Sequence, residues 1–149
     1  MIISFFGHRQ ITDIDKVYTF MRKQLLQLAQ TQSELDFYCG GYSNFDGVCL
    51  KILLELKQEF NNIKIFFISP YITSSYLNSI NKKNYDQIIY PEIENTPKKY
   101  AIIKRNQWII DHSDFIFFFV TFTFGGAFNS LNYAKKKNKK FIEISQLLK

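Results

Sequence analysis

The sequence predicts an α/β fold built on a mainly parallel sheet of about five strands, with helices on both faces. Three observations lead to this fold class. Short runs of β-branched and aromatic residues alternate with longer segments of helical periodicity, glycine or proline ends several of the runs, and one run is apolar almost throughout. At 149 residues the chain is most simply a single domain, 1–149, that is large enough to bury a core.

The first half of the chain contains three predicted strands. These short β-rich runs lie at 2–6, 35–39 and 63–69. Glycine follows the first two runs, at Gly7 and at the pair Gly40 and Gly41, and marks a turn after each strand. Apolar residues with helical spacing predict one helix at 14–28 and a second helix at 45–60.

The second half begins with a less regular segment, 70–97, in which the only predicted strand is a short one at 86–90. It continues with a helix at 98–112, an apolar strand at 114–121, a helix at 126–137 and a final strand at 140–144. The apolar strand is typical of a central one that is buried on both faces. Because right-handed crossovers place helices on both faces of a parallel sheet, the predicted fold is doubly wound and Rossmann-like.

Composition and charge exclude several classes of protein. A formal net charge of +6 favours an anionic partner, although part of the excess lies in "KKKNKK" at 135–140, which is typical of a solvated helix end. The N-terminus has no signal-peptide pattern, and the longest apolar stretch, 115–124, is too short to span a membrane. We therefore expect a cytoplasmic protein with no membrane partner.

The cysteines and the glycine pairs give no sign of a metal or a cofactor. Cys39 and Cys49 have no companion histidine pair and lie in apolar strand or helix positions, so they indicate neither a metal site nor a disulfide framework. Neither glycine pair has the spacing of a dinucleotide fingerprint or of a P-loop. No metal and no cofactor are predicted.

Three loops are predicted at the carboxyl ends of the strands, where the ligands of such sheets bind. They contribute Gly7, His8 and Arg9 after the first strand, Gly40, Gly41, Ser43 and Asn44 after the second, and Gly125 and Gly126 after the apolar strand. Glycine lets a ligand approach the backbone, and the start of the following helix presents N–H groups to an anion. These are the candidate ligand-binding residues, with tight packing of the turns as the alternative explanation of the glycines. Ser43 or Asn44 is expected to cap the second helix.

Asp46, Arg105 and Asn106 are predicted to complete the site. Asp46 lies in the first turn of its helix, where it either complements the helix dipole or accepts hydrogen bonds from ribose hydroxyls. Arg105 interrupts an apolar stripe, so its guanidinium either snorkels past apolar surface or binds a phosphate or carboxylate. Asn106 beside it would contact a base or a sugar. His8 is either structural or part of the site.

Two further groups complete the candidates. Glu92 and Glu94 would serve as acid, base or nucleophile, although carboxylates on loops are common. Tyr42, Phe45 and Trp108 would form a base-stacking surface, although most of the phenylalanines lie in apolar runs and are better explained as core.

Five motifs occur in order along the chain: "FFGHR", "GGYSNFDGV", "YDQIIYP", "RNQWIIDHSDFIFFFV" and "GGA". In this order and spacing they resemble the SLOG superfamily, which includes the lonely-guy cytokinin-activating enzymes and the Rossmann-like domain of the DNA-processing protein DprA. The resemblance is strongest to the small bacterial "GHR" branch, whose proteins have similar length and are mostly uncharacterised. It covers nearly the whole chain.

The resemblance implies a Rossmann-like fold that binds a nucleotide or a nucleotide-derived ligand at the carboxyl ends of the strands, and it implies a homo-oligomer, a dimer. Lonely-guy enzymes hydrolyse the N-glycosidic bond of nucleoside 5′-monophosphates. Their arginine aligns with Arg105 and their paired glycines with Gly125 and Gly126, whereas the place of their catalytic glutamate falls at Asn132. Because asparagine cannot act as an ionised carboxylate, the resemblance implies binding more strongly than hydrolysis.

Three functions follow from these observations. The first is binding of a nucleotide-derived ligand in a sensing, sequestering or signalling role, with phage defence as one such pathway. The second is a nucleotide N-glycosidase, or phosphoribohydrolase, in which Arg105 and either Asp46 or a loop glutamate would be the catalytic residues. The third is a DprA-like binder of single-stranded nucleic acid, which the positive charge permits. It ranks last because no stripe of the sequence alternates aromatic and basic residues.

Overall fold

A computed structural model describes residues 1–41 and 43–148. Its strands are β1 (Ile2–Gly7), β2 (Leu35–Cys39), β3 (Ile63–Ile68), β4 (Gln87–Ile89), β5 (Phe115–Phe119) and β6 (Phe141–Glu143). Its α-helices are α1 (Ile14–Thr31), α2 (Asn44–Lys57), α3 (Ser74–Ser79), α4 (Ala101–His112) and α5 (Gly126–Lys136). Short 3-10 helices occupy Lys82–Asn84, Lys98–Tyr100 and Ser145–Leu148. In this described part of the chain, no helix is both long and apolar enough to cross a membrane.

All six strands form one parallel sheet in the order β4-β3-β2-β1-β5-β6. The chain moves outward from β1 through β2 and β3 to β4, and then returns to place β5 on the other side of β1. This order confirms the predicted α/β, Rossmann-like fold class.

The segment 70–97 differs most from its prediction. The short strand predicted at 86–90 is present as β4 and is a full member of the sheet, which therefore has six strands rather than about five. The segment also contains α3, which the sequence did not predict. None of the six residues of α3 is buried, so no apolar stripe marks the helix in the sequence.

The helices form a layer on each face of the sheet. Side chains of a strand alternate between the faces, so Phe5 and Phe117 pack with apolar residues of α1 and α2. Phe6 and Phe118 pack with apolar residues of α4 and α5 on the opposite face. Burial on both faces explains why β1 and β5 are apolar nearly throughout, with Ser4 as the polar exception in β1.

The carboxyl ends of β1 and β5 mark the point where the strand order reverses. These strands are neighbours, yet β1 leads into α1 on one face and β5 leads into α5 on the other. The two connections therefore diverge and leave a crevice between them. Crevices of this kind are where open α/β sheets bind their ligands.

Candidate functional site

A cavity of about 390 Å³ opens at the carboxyl ends of β1 and β5. Its volume lies in the range of small-molecule sites, roughly 300–1,000 Å³. Ten of the twelve predicted site residues line it: Gly7, His8, Arg9, Gly40, Ser43, Asp46, Arg105, Asn106, Gly125 and Gly126. The fold thus brings together three loops and the middle of α4, as the parallel topology predicts.

Gly41 and Asn44 are the two predicted residues outside this lining. Gly41 has a φ of 80°, and a Cβ atom there would lie 2.7 Å from Cε2 of Phe67. Both observations explain this glycine by backbone conformation and packing. Asn44 is exposed, and its N–H donates to the carbonyl of Arg9 at 3.0 Å, which ties the start of α2 to the loop after β1.

The start of α2 uses its donors within the protein. Ser43 is the N-cap, as predicted, and its Oγ accepts the N–H of Asp46 at 3.0 Å. The carbonyl of Ser43 accepts the N–H of Gly47 at 3.0 Å. Because two of the three N–H groups of the first turn, those of Asn44 and Asp46, are engaged, this helix start offers fewer donors to an anion than the sequence led us to expect.

The start of α5 is open by contrast. Gly125 is the N-cap residue, with a φ of 91°, and no side chain caps the helix. The N–H groups before Asn129, whose own N–H binds the carbonyl of Gly125 at 3.0 Å, have no helical carbonyl to bind. A Cβ atom at Gly126 would have no heavy atom within 4 Å, and both Gly126 and Ala127 line the cavity. The N-terminus of α5 therefore adjoins space that an anion could occupy.

His8 is buried and holds the loop that follows β5. Its Nε2 accepts the N–H groups of Thr121 at 2.8 Å and Phe122 at 3.3 Å, so Nε2 carries no proton. Burial lowers the pKa of His8, although the charge of Glu143 acts in the opposite direction. The neutral imidazole organises this loop. The chain turns toward it after Phe119, which is why β5 ends before the predicted residue 121.

Arg105 lies on the buried face of α4, with 2% of its surface exposed, and does not snorkel to solvent. Its Nη1 donates to the carbonyls of Ile68 at 2.8 Å and Gly40 at 3.3 Å, and its Nε donates to Oδ1 of Asn106 at 2.8 Å. The guanidinium therefore joins α4 to the carboxyl ends of β2 and β3. Arg105 lines the cavity and also holds its wall together.

Gly7 has a packing role as well as a place in the lining. A Cβ atom there would overlap Cβ of Phe45 and lie 2.7 Å from its Cγ. Phe45 is fully buried in the core between α2 and the sheet. The glycine after β1 is therefore explained by the close approach of α2 to the strand.

The cavity is lined by charged side chains of both signs, and the positive ones outnumber the negative one. Arg9 and Arg105 both line it, the first exposed and the second buried. Asp46 is half-buried and is the only acidic residue in the lining, within the part of the chain that the structure describes. A carboxylate accepts hydrogen bonds from hydroxyl groups and repels phosphate. Asp46 and the start of α5 therefore suit different parts of one ligand.

Two of the predicted base-stacking residues lie elsewhere. Phe45 belongs to the core, and Trp108 stacks on Tyr38 and His112, with ring centroids 5.7 and 4.0 Å away, outside the lining. The third, Tyr42, lies outside the described residues. The prediction of stacking residues is therefore corrected for Phe45 and Trp108, whose rings serve packing.

Of the carboxylates predicted for an enzyme, Asp46 lines the cavity and the two loop glutamates do not. Glu92 and Glu94 are exposed and outside its lining. Asn132, at the place of the lonely-guy glutamate, is exposed on α5 and also outside the lining. Among residues 1–41 and 43–148, no cluster of His, Cys, Asp or Glu could hold a metal ion.

The sequence reasoning missed five residues that line the cavity: Phe5, Phe6, Ile102, Phe122 and Ala127. Phe122 is the informative one because it lies beyond the end of β5 and is 40% exposed. A signal for it exists in "TFTFGG", where phenylalanine alternates with threonine beside the glycine pair. Because this stretch continues the apolar run 115–124, the pattern by itself does not distinguish Phe122 from the core phenylalanines.

The comparisons with known proteins agree with this architecture. No protein-family model matches the sequence, and neither does any curated protein. Among solved structures, the chain is similar to DNA processing protein A from Helicobacter pylori, with a TM-score of 0.63 and 20% sequence identity. The alignment covers 95% of this chain and 63% of that one, so the chain spans less than two thirds of that protein. The fold is DprA-like.

That Helicobacter structure is described for its single-stranded DNA binding mode. For the present chain, the likeness supports the DprA-like part of the resemblance at the level of the fold. The lonely-guy-like and "GHR"-branch assignments, the dimer and the ligand stay predictions.

Proposed function

We propose that the protein binds a nucleotide or a nucleotide-derived ligand in the cavity at the carboxyl ends of β1 and β5, in a sensing, sequestering or signalling role. One observation carries the proposal. The open start of α5, the carboxylate of Asp46 and the cation of Arg9 border a single cavity at the point where the strand order reverses. These groups match the phosphate and the sugar of a nucleotide.

The phosphate would bind at the first turn of α5. Gly125 and Gly126 leave the backbone N–H groups accessible, and the helix dipole favours a negative charge there. Arg9 is exposed at the same cavity and would add a charge-assisted hydrogen bond. Asp46 would accept hydrogen bonds from the sugar hydroxyls, because its charge disfavours phosphate nearby.

Hydrolysis of the nucleotide has weaker support than binding. Most glycoside hydrolases need a pair of carboxyl groups, one as acid and one as base or nucleophile. Within the described residues, Asp46 is the only acidic side chain in the lining, and position 132 is an exposed asparagine away from it. A binding role is therefore favoured over that of an N-glycosidase.

Single-stranded nucleic acid is the second candidate ligand, and two observations favour it. The structural neighbour from Helicobacter is described with single-stranded DNA. The chain carries a net charge of +6 and exposes Phe122 and Phe124, which are 40% and 69% exposed. Positive charge and exposed aromatic rings are the two features that single-strand binders share.

Thermal unfolding in the presence of a ligand panel tests the first proposal. The panel contains nucleoside 5′-monophosphates, nucleoside diphosphates, ADP-ribose and cyclic nucleotides, with inorganic phosphate as a reference. We expect one nucleotide to raise Tm as its concentration rises, because a ligand that binds only the folded state stabilises it. No shift with any nucleotide would reject the proposal, and release of free base during incubation would show an enzyme.

Matched variants locate the site. Arg9→Gln and Asp46→Asn should each weaken the stabilising effect of the nucleotide. Lys23→Gln removes the same charge as Arg9→Gln from an exposed position on α1 outside the lining, and it should leave the effect intact. Equal effects of Arg9→Gln and Lys23→Gln would place binding elsewhere on the surface.

Fluorescence anisotropy with labelled oligothymidylate tests the second candidate. Phosphate contacts make affinity for a strand fall steeply as salt increases. Binding at low salt with such a slope would favour the nucleic-acid function. Absence of binding at low salt would remove it.

A further inference from the structure

We infer that Phe122 recognises the nucleobase of the bound ligand by stacking on it, and that His8 positions Phe122 for this task. The inference rests on the proposed function and deepens it, since it names the group that selects a nucleotide over other phosphorylated sugars.

The position of Phe122 is the first observation. Its side chain lines the cavity and is 40% exposed, although the phenylalanines at the end of β5 are buried, with Phe118 at 0% and Phe119 at 5%. The imidazole of His8 covers one face of the ring, so a flat partner would stack on the opposite face. A nucleobase is such a partner whatever its identity.

The support beneath Phe122 is the second observation. Its ring lies parallel to the imidazole of His8, with centroids 3.4 Å apart and an angle of 9° between the planes. His8 also accepts the backbone N–H of Phe122 and of Thr121. Both the ring and its backbone are thus held before a ligand arrives, which lowers the entropy lost on binding.

The surroundings of Phe122 are the third observation. Phe124 packs against it with centroids 4.5 Å apart and is itself 69% exposed, although it does not line the cavity. A Cβ atom at Gly125 would lie 3.9 Å from Cε2 of Phe122. Phe122 is therefore next to the start of α5, where the phosphate is proposed. A single nucleotide would reach both.

A comparison of two ligands isolates the base. Adenosine 5′-monophosphate and ribose 5-phosphate share the phosphate and the sugar, and only the first has a base. By isothermal titration calorimetry, we expect wild-type protein to bind the nucleotide about 5- to 150-fold more tightly, the usual range for one stacked base. Uridine 5′-monophosphate in parallel tests whether a smaller base is also stacked.

Variants at Phe122 then test the residue. Phe122→Leu keeps an apolar side chain and removes the aromatic face, so the preference for the nucleotide should disappear while affinity for ribose 5-phosphate stays unchanged. Phe122→Trp should keep the preference. A preserved preference in Phe122→Leu would overturn the inference, and so would an equal loss of both affinities, which indicates damage to the site as a whole.

Variants at His8 test the positioning role. His8→Ala should lower the preference for the nucleotide, whereas His8→Gln should restore part of it because its amide oxygen can accept the N–H groups of Thr121 and Phe122. The readout is the ratio of the two affinities, which a uniform loss of stability would not change. An unchanged ratio in His8→Ala would reject the role of His8.

A nucleobase can come from a free nucleotide or from a single strand, so oligothymidylate and thymidine 5′-monophosphate are titrated as well. Binding of the oligomer alone, with loss in Phe122→Leu, would support base stacking and reject the mononucleotide proposal. If wild-type protein binds ribose 5-phosphate as well as the nucleotide, the site holds phosphate but stacking is rejected. If it binds none of these ligands and no nucleotide of the thermal-unfolding panel raises Tm, both proposals fail.

Discussion

The guanidinium of Arg105 lies directly against the backbone of Gly40. Nη1 donates to the carbonyl of Gly40 at 3.3 Å, and a Cβ atom at Gly40 would come within 3.2 Å of Cζ. The first glycine after β2 therefore makes room for an arginine that comes from α4. The same Nη1 binds the carbonyl of Ile68 at 2.8 Å, so one side chain joins the ends of two strands to a helix.

Loss of this arginine should destabilise the fold. Arg105→Met keeps an apolar stem of similar length and leaves the buried carbonyl of Ile68 without its donor, so we expect a loss of about 2–4 kcal/mol in the free energy of unfolding. Urea denaturation monitored by circular dichroism measures it. Lys104→Met, at the exposed neighbouring position, should stay within about 0.5 kcal/mol of wild type. A stable Arg105→Met variant that has lost only ligand binding would contradict the structural role.

Substitution of Gly7 should be costly because of Phe45. The Cβ atom of Gly7→Ala would overlap that of Phe45, which is fully buried and cannot move away freely. We expect a loss of about 1–3 kcal/mol, the usual cost of overpacking a core. Differential scanning calorimetry would show the lower Tm. An unchanged Tm would mean that α2 can move away from β1 at no cost in stability.

Substitution of Gly126 should weaken ligand binding without lowering the stability of the fold. A Cβ atom there meets no heavy atom within 4 Å, and its φ is not positive, so Gly126→Ala should leave stability unchanged or raise it by about 0.4–1 kcal/mol. The added methyl group would enter the cavity and weaken phosphate binding at the start of α5. Thermal unfolding with and without nucleotide measures both effects.

Gly47→Ala is the matched control for Gly126→Ala. A Cβ atom at Gly47 also meets nothing within 4 Å, but this residue lies on α2 outside the cavity lining. The Gly47→Ala variant should show a similar change in the free energy of unfolding and should bind nucleotide as the wild type does. Equal binding by the two variants would remove the start of α5 from the site.

The neutral state of His8 predicts how stability depends on pH. Burial lowers the pKa of His8 in the folded protein, so the unfolded chain binds more protons between the folded and unfolded pKa values. The contribution of neutral His8 to the free energy of unfolding is complete above the ordinary histidine pKa of about 6.5. It is lost as the pH falls through the pKa of His8 in the folded protein. Urea denaturation at about pH 7.5 and about pH 5 should show the loss, and His8→Gln should reduce it. An identical pH dependence in the variant would contradict the prediction.

The two cysteines should be inert in the folded protein. Cys39 and Cys49 are buried, and burial raises the pKa of both thiols, with the charge of Asp46 acting in the same direction. Because the thiolate is the reactive form, a thiol-specific chromogenic reagent should label them only in denaturant. Rapid labelling under native conditions would show that the core opens locally near α2.

The sequence by itself determined the fold class and predicted which loops meet at one edge of the sheet. Helical spacing and apolar runs are local patterns, so they predicted α1, α2, α4 and α5 and the strands of the sheet, with β4 as the least certain. In a parallel sheet the loops after the strands meet at one edge, which is why ten of the twelve predicted site residues share one cavity. The short helix α3 was not predicted because none of its residues is buried.

Only the tertiary structure decided what each of those residues does. Gly40 and Arg105 are 65 residues apart in the sequence, and His8 and Phe122 are 114 apart. Such contacts depend on how distant elements pack, and no periodicity in the sequence carries that information. Packing brings Gly7 close to Phe45 and Gly41 close to Phe67. It also lets His8 support a loop and places Phe122 at the cavity wall. The start of α5, rather than that of α2, was left open because its first residues are glycines with no side chain to cap it.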